Sequence, residues 1–120
     1  MAKILVVDDS LFQRMSLSKA VRQSGYEALA AENGDMGLHL MKSEAPDAVL
    51  LDLNMPELGG FDVLERMRES GTAIPVVILT ADIQESSRRR CMDLGAKAIL
   101  NKPVDENELK AVLESVISGG

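Results

Sequence analysis

The feature that most constrains the fold is a fivefold alternation of short apolar runs with segments of helical spacing. The apolar runs are residues 3–7, 27–31, 47–51, 75–79 and 97–100. Four of them lack polar alternation, which is typical of strands covered on both faces, whereas the run at 27–31 is rich in alanine. The segments of helical spacing are 11–23, 34–44, 60–70, 83–94 and 105–117. This alternation predicts an α/β fold with a parallel sheet and helices on both of its faces.

Turn-forming and capping residues punctuate the predicted helices. Gly25, Gly71 and Gly95 each follow a helical segment, and Pro46 ends another. Asp105 is predicted to be the N-cap of the last helix. The chain shows no linker or low-complexity tract before the short Gly-rich end, so we expect one domain over residues 1–120.

Composition narrows the class of protein. The formal net charge is −6, which disfavours a broad nucleic-acid surface. Cys91 is the only cysteine, which excludes an internal disulfide and fits a reducing compartment. No apolar run approaches membrane-spanning length, and the first residues are unlike a signal peptide. We therefore expect a soluble cytoplasmic protein with no direct contact to nucleic acid or membrane.

Polar residues follow the apolar runs at the sheet edge where ligands bind in open α/β folds. They are Asp8 and Asp9 after the first run, Asp52 after the third, Thr80 after the fourth, and Asn101 and Lys102 after the fifth, with Pro103 directly behind Lys102. Three carboxylates suit Mg²⁺, which takes few protein carboxylates and keeps several waters. The ammonium and the hydroxyl suit an anionic group such as phosphate, and a carboxylate here can act as a nucleophile that forms an acyl phosphate.

Four stretches carry a resemblance to a known family: "VVDDS", "LLDLNMPELGGFDVL", "ILTA" and "NKPVDENEL". In this order and at this spacing they resemble the response-regulator receiver domain, the phosphoacceptor module of two-component signalling. The likeness covers essentially the whole chain and is greatest to single-domain regulators of the chemotaxis type. It implies a flavodoxin-like, doubly wound (βα)5 fold with strand order 2-1-3-4-5.

The resemblance also implies a role for each site residue. Asp52 is expected to accept a phosphoryl group from a phosphohistidine of a sensor histidine kinase. Asp9 and Asp52 are expected to bind Mg²⁺ directly, together with the backbone carbonyl of Asn54, and Asp8 through a water molecule. Lys102 is expected to pair with the phosphoryl oxygens.

Other implied roles concern phosphate binding and the conformational switch. Thr80 is expected to move and donate to one phosphoryl oxygen and the Ala81 N–H to another, with Asn54 also beside the phosphate. The Lys102–Pro103 peptide bond is expected to be cis. The family usually has an aromatic switch residue where this chain has Ile99, whose branched aliphatic side chain has stiff χ1 and no hydroxyl.

The expected output surface comprises the helix at 83–94, the strand at 97–100 and the helix at 105–117. We expect a monomer, with a dimer after phosphorylation as an alternative. The three arginines at 88–90 fan around a helix and are interpreted as a solvated face rather than a nucleic-acid site. Thr80 has a second interpretation, as the N-cap of the helix at 83.

The sequence leaves three alternatives to a free-standing regulator that accepts phosphate. The chain could be a receiver excised from a longer regulator with a DNA-binding or enzymatic output domain. It could be a Mg²⁺-dependent phosphatase working through an aspartyl phosphate, but such enzymes have an acid/base Asp where this chain has Asn54, and a cap over the site. A receiver that never takes phosphate is disfavoured because every expected site residue is present.

Overall fold

Five strands and five helices alternate along the chain in the computed structural model, which describes residues 1–81 and 84–118. The strands are β1 (Lys3–Val7), β2 (Glu27–Ala31), β3 (Ala48–Asp52), β4 (Val76–Thr80) and β5 (Ala98–Asn101). The helices are α1 (Leu11–Gln23), α2 (Gly34–Glu44), α3 (Gly60–Ser70), α4 (Glu85–Asp93) and α5 (Glu106–Ile117). The predicted alternation of strands and helices is therefore confirmed.

The strands form one parallel sheet in the order β2-β1-β3-β4-β5. After β1 the chain adds β2 on one side, and from β3 onwards it builds the sheet on the other side. The order thus reverses at β1 and β3, and the crevice for a ligand lies at the carboxyl ends of these two strands. The predicted flavodoxin-like topology is confirmed.

Each central strand contributes to two hydrophobic cores, because successive side chains of a strand point to opposite faces. In β1, Leu5 and Val7 pack on the face covered by α2, α3 and α4, whereas Ile4 and Val6 pack on the face covered by α1 and α5. The residues of β3 divide in the same way. Because both faces are covered, these strands read as continuous apolar runs.

Three strands end one residue later than their apolar runs. Asp52, Thr80 and Asn101 are the last residues of β3, β4 and β5 rather than the first residues of the following loops. Asp52 lies in register with Leu79, and Thr80 with Asn101. Strand pairing uses backbone groups, so a polar side chain can occupy the end of a strand.

The helix starts differ from prediction at two places. Asp105 is the N-cap of α5, since its side chain accepts hydrogen bonds from the N–H groups of Asn107 and Glu108. This cap prediction is confirmed, although the helix itself begins one residue later. Helix α4 has Gln84 as its N-cap, so the interpretation of Thr80 as the N-cap is wrong. The predicted start at Ile83 lies outside the described residues.

Close backbone packing fixes where α3 begins. The N–H of Gly60 donates to the carbonyl of Leu53 at 3.0 Å, and a Cβ at position 60 would lie 2.8 Å from the Leu53 Cα. Only glycine permits this approach of the helix to the strand end. The loop that follows Asp52 is thereby held against the sheet. Within residues 1–81 and 84–118, no helix is both long enough and apolar enough to cross a membrane.

Candidate functional site

Three carboxylates converge at the predicted edge of the sheet. One oxygen from each of Asp8, Asp9 and Asp52 lies within 4.8 Å of the others. Strand β1 ends at Val7, and Ser10 is already the N-cap of α1. The chain therefore turns at the acidic pair, which allows two adjacent side chains to reach the same point instead of opposite faces of the sheet.

Asp8 is fully buried, and both of its carboxylate oxygens have donors. Its Oδ1 accepts from the Ser10 N–H at 2.9 Å, and its Oδ2 lies 3.5 Å from the Lys102 Nζ. The Arg14 guanidinium donates to the Asp8 backbone carbonyl at 2.7 Å. Asp9, by contrast, is exposed. The two adjacent carboxylates thus differ sharply in their freedom to bind a ligand.

Asp52 is 3% exposed and lies beside a cation. Its Oδ1 is 3.1 Å from the Lys102 Nζ and 3.2 Å from the Asn54 N–H nitrogen. Burial raises the pKa of the Asp52 carboxyl above its ordinary value of 3.8. The hydrogen bond and the charge of Lys102 lower this pKa, whereas the charge of Asp8 raises it. Burial has the largest effect, so the net change in the pKa is upward.

This raised pKa predicts a pH dependence that Asp52→Asn removes. The folded protein binds the Asp52 proton more tightly than the unfolded chain does. The contribution of this carboxyl to the free energy of unfolding is therefore fully present below pH 3.8. That contribution is lost as the pH rises through the folded-state pKa. The free energy of unfolding of the parent, minus that of the Asn variant, is therefore expected to fall over this window. Urea denaturation in EDTA from about pH 3 to 7 measures it, and parallel curves would contradict it.

Lys102 connects the acidic cluster to α1. Its side chain is 18% exposed, and its Nζ lies 2.6 Å from the Gln13 Oε1, in addition to the contacts with Asp8 and Asp52. The Lys102–Pro103 peptide bond is cis. The ammonium is thus held between two carboxylates and one amide oxygen.

Thr80 and Asn54 form the side of the site nearest β4. Thr80 is 1% exposed, and the Asn54 side-chain amide donates to its Oγ1 at 3.4 Å. Ala81, which follows directly, is exposed. The hydroxyl at the end of β4 and the amide of the loop after β3 therefore meet beside the carboxylates.

Ile99 belongs to a different surface of the molecule. It is half-buried on β5, packs against the core beneath α4, and borders a groove with Arg88, Arg89 and Met92. Arg88 donates to the Asn101 Oδ1 at 3.1 Å, whereas Arg89 is exposed. Arg90 instead lies 3.4 Å from Glu65, so Arg88 and Arg90 point in different directions, as the helical geometry predicts.

Three residues that contact the site were missed at the sequence level: Ser10, Gln13 and Arg14. Ser10 could have been found, because a serine directly before a helical segment is a typical N-cap. The side chains of Gln13 and Arg14 reach the site from a helix, and their spacing alone does not reveal which strand end they approach.

The family model described as "Response regulator receiver domain" matches residues 4–114. The chain belongs to the response-regulator receiver family. This receiver is 39% identical over 121 residues to Protein PilH of Pseudomonas aeruginosa, a match that covers 99% of this chain and 100% of PilH. It is also 38% identical over 115 residues to the response regulator MprA of Mycolicibacterium vanbaalenii, covering 96% of this chain but 50% of MprA.

Solved structures agree with the sequence relatives. The chemotaxis protein CheY4 of Vibrio cholerae superposes on this receiver with a TM-score of 0.89 at 30% identity, covering 97% of this chain and 98% of CheY4. Receiver domains are signalling domains of two-component systems, are phosphorylated by histidine kinases and bind Mg²⁺ at an acidic pocket. In this receiver, Asp8, Asp9 and Asp52 form an acidic cluster of the matching kind.

Proposed function

We propose that this receiver takes a phosphoryl group on Asp52 from a phosphohistidine of a sensor histidine kinase and then controls a partner protein. The observation that carries the proposal is the buried Asp52 carboxylate, 3.1 Å from the Lys102 ammonium and within the acidic cluster. A nucleophile, a cation for the transferred group and oxygen ligands for a metal lie at one point.

The transfer uses the side chains in defined roles. An Asp52 oxygen attacks the phosphorus and forms the new P–O bond, while the P–N bond breaks and its electron pair stays with the histidine nitrogen. Lys102 then donates to the phosphoryl oxygens. The Thr80 hydroxyl and the Ala81 N–H bind the remaining oxygens, and Asn54 lies beside them. Asp52 must be ionised to act, so its raised pKa disfavours the reaction at acid pH.

The donor set fits Mg²⁺, since it consists of hard oxygen ligands with open positions for water. In this proposal Asp9, Asp52 and the Asn54 backbone carbonyl bind the ion directly. Asp8 acts through water, because its two oxygens already face the Ser10 N–H and the Lys102 Nζ. When bound, the ion neutralises negative charge on the carboxylates and on the transferred group.

For the output we propose the face formed by α4, β5 and α5. Phosphorylation shifts Thr80, and the change reaches this face without an aromatic partner, because Ile99 occupies that position. We propose a monomeric regulator in the cytoplasm that acts on proteins rather than on DNA or a membrane. The match that covers all of PilH favours a free-standing regulator. The half-length match to MprA favours the alternative of a receiver joined to an output domain.

Incubation with a small acyl phosphate and Mg²⁺ tests the proposal. We expect one phosphoryl group per chain, mapped to the Asp52 peptide by mass spectrometry and removed by hydroxylamine, and no incorporation in EDTA. Incorporation that is equally fast in EDTA would contradict the metal site. Repeated turnover of a phosphomonoester, with no accumulation of labelled protein, would instead support the phosphatase alternative.

A further inference from the structure

The side-chain amide of Gln13 makes the shortest contact of the Lys102 ammonium with the described residues. The Gln13 Oε1 lies 2.6 Å from Nζ, compared with 3.1 Å for Asp52 and 3.5 Å for Asp8. An ammonium carries three N–H donors, and these three oxygens are in reach of them. Gln13 supplies the single uncharged acceptor among the three.

The sequence around Gln13 favours a different contact, which the structure does not contain. Ser10 and Gln13 have the spacing of a capping box, in which the Gln side chain accepts from the N–H of the N-cap serine. Here the Ser10 N–H donates to the Asp8 Oδ1 at 2.9 Å. Only the other half of the box is present, since the Gln13 N–H donates to the Ser10 Oγ at 3.3 Å. Asp8 therefore takes the place of Gln13 at the cap, and the Gln13 side chain extends to Lys102.

We infer that Gln13 is a positioning residue, which holds the Lys102 ammonium in place for phosphoryl transfer; this inference rests on the proposed role of Lys102. When Asp52 becomes an acyl phosphate, Lys102 redirects its donors from the carboxylates to the phosphoryl oxygens. The hydrogen bond to Gln13 does not have to break, because the amide oxygen takes no part in the reaction. Helix α1 thereby keeps the cation at the same place before and after the transfer.

The test compares two glutamine variants of the same helix. Gln13→Leu removes the acceptor, and Gln23→Leu makes the same change at an exposed position at the other end of α1. Loss of one hydrogen bond to a charged group is expected to slow phosphorylation by a small acyl phosphate with Mg²⁺ about tenfold in Gln13→Leu. Gln23→Leu is expected to match the parent protein.

A Lys102→Ala background separates positioning from helix stability. If Gln13 acts through Lys102, adding Gln13→Leu to Lys102→Ala leaves the already slow rate unchanged. Equal slowing in both backgrounds, or no slowing in the parent background, would overturn the inference.

A second readout requires neither metal nor phosphoryl transfer. The ζ-nitrogen NMR resonance of Lys102 is expected to shift in Gln13→Leu and to stay in place in Gln23→Leu. An unshifted resonance in Gln13→Leu would overturn the contact itself. If the parent protein takes up no phosphoryl group, the proposed function fails, and this resonance still decides whether Gln13 holds Lys102.

Discussion

The Asp52→Asn protein is expected to take up no measurable phosphoryl group from a small acyl phosphate or from a phosphorylated kinase. An amide has no ionised oxygen to attack phosphorus, so the P–O bond cannot form at this position. The fold should persist, because Asn keeps the size of the side chain and removes a buried charge. Incorporation measured by mass spectrometry over time, in parallel with the parent protein, provides the comparison.

Asp35→Asn is a matched control for this experiment. Asp35 lies in the first turn of α2, and its ion pair with Arg66 spans 3.9 Å between exposed side chains, so the substitution should leave the rate unchanged. Full incorporation into Asp52→Asn would show that the nucleophile is another residue. A label found on Asp9 in the Asp52→Asn variant would identify Asp9, the exposed carboxylate of the acidic cluster, as the acceptor.

Leu50→Ala is expected to lower the free energy of unfolding by about 3 kcal/mol. Leu50 has no exposed surface, lies in the central strand β3, and packs in the core beneath α1 and α5. Truncation removes buried methyl groups and leaves a cavity that the surrounding helices fill only in part. Urea denaturation at neutral pH, analysed with an unchanged m value, measures the loss.

Leu11→Ala makes the same chemical change on the surface. Leu11 is 62% exposed at the start of α1, so we expect a change of less than about 0.5 kcal/mol. Equal losses in the two variants would mean that burial on this face of the sheet does not determine stability.

The fold followed from the sequence because each strand is short, apolar and separated from the next by one helix. The bounds of α1, α2 and α3 match their predicted segments, since a glycine or proline or a change in periodicity marks their ends. The predicted ends of β3, β4 and β5 were each one residue too early, because backbone pairing continues through the polar residue that follows each apolar run. An apolar pattern reveals neither the burial nor the pairing of a polar residue such as Asp52 or Thr80 at the end of a strand.

The site was predictable only in part. Strand ends brought Asp8, Asp52 and Lys102 together, because parallel strands deliver their last residues to one edge. The unequal burial of Asp8 and Asp9 was not predictable from burial patterning, since it depends on how the chain turns into α1. Gln13 was missed for a related reason: a helix exposes many polar side chains, and only the tertiary fold selects the one that reaches Lys102.

The order of the site residues in the sequence has a consequence for protein synthesis. The ion pair between Lys102 and Asp8 joins residues 94 positions apart, and Lys102 follows the last strand of the sheet. A nascent chain that has released β1 to β4 from the ribosome holds the three carboxylates but not the ammonium that pairs with them. Its unpaired acidic cluster would repel an incoming phosphoryl donor. Under the proposed function, competence for phosphoryl transfer is therefore acquired only after β5 has joined the sheet and Lys102 has reached the carboxylates.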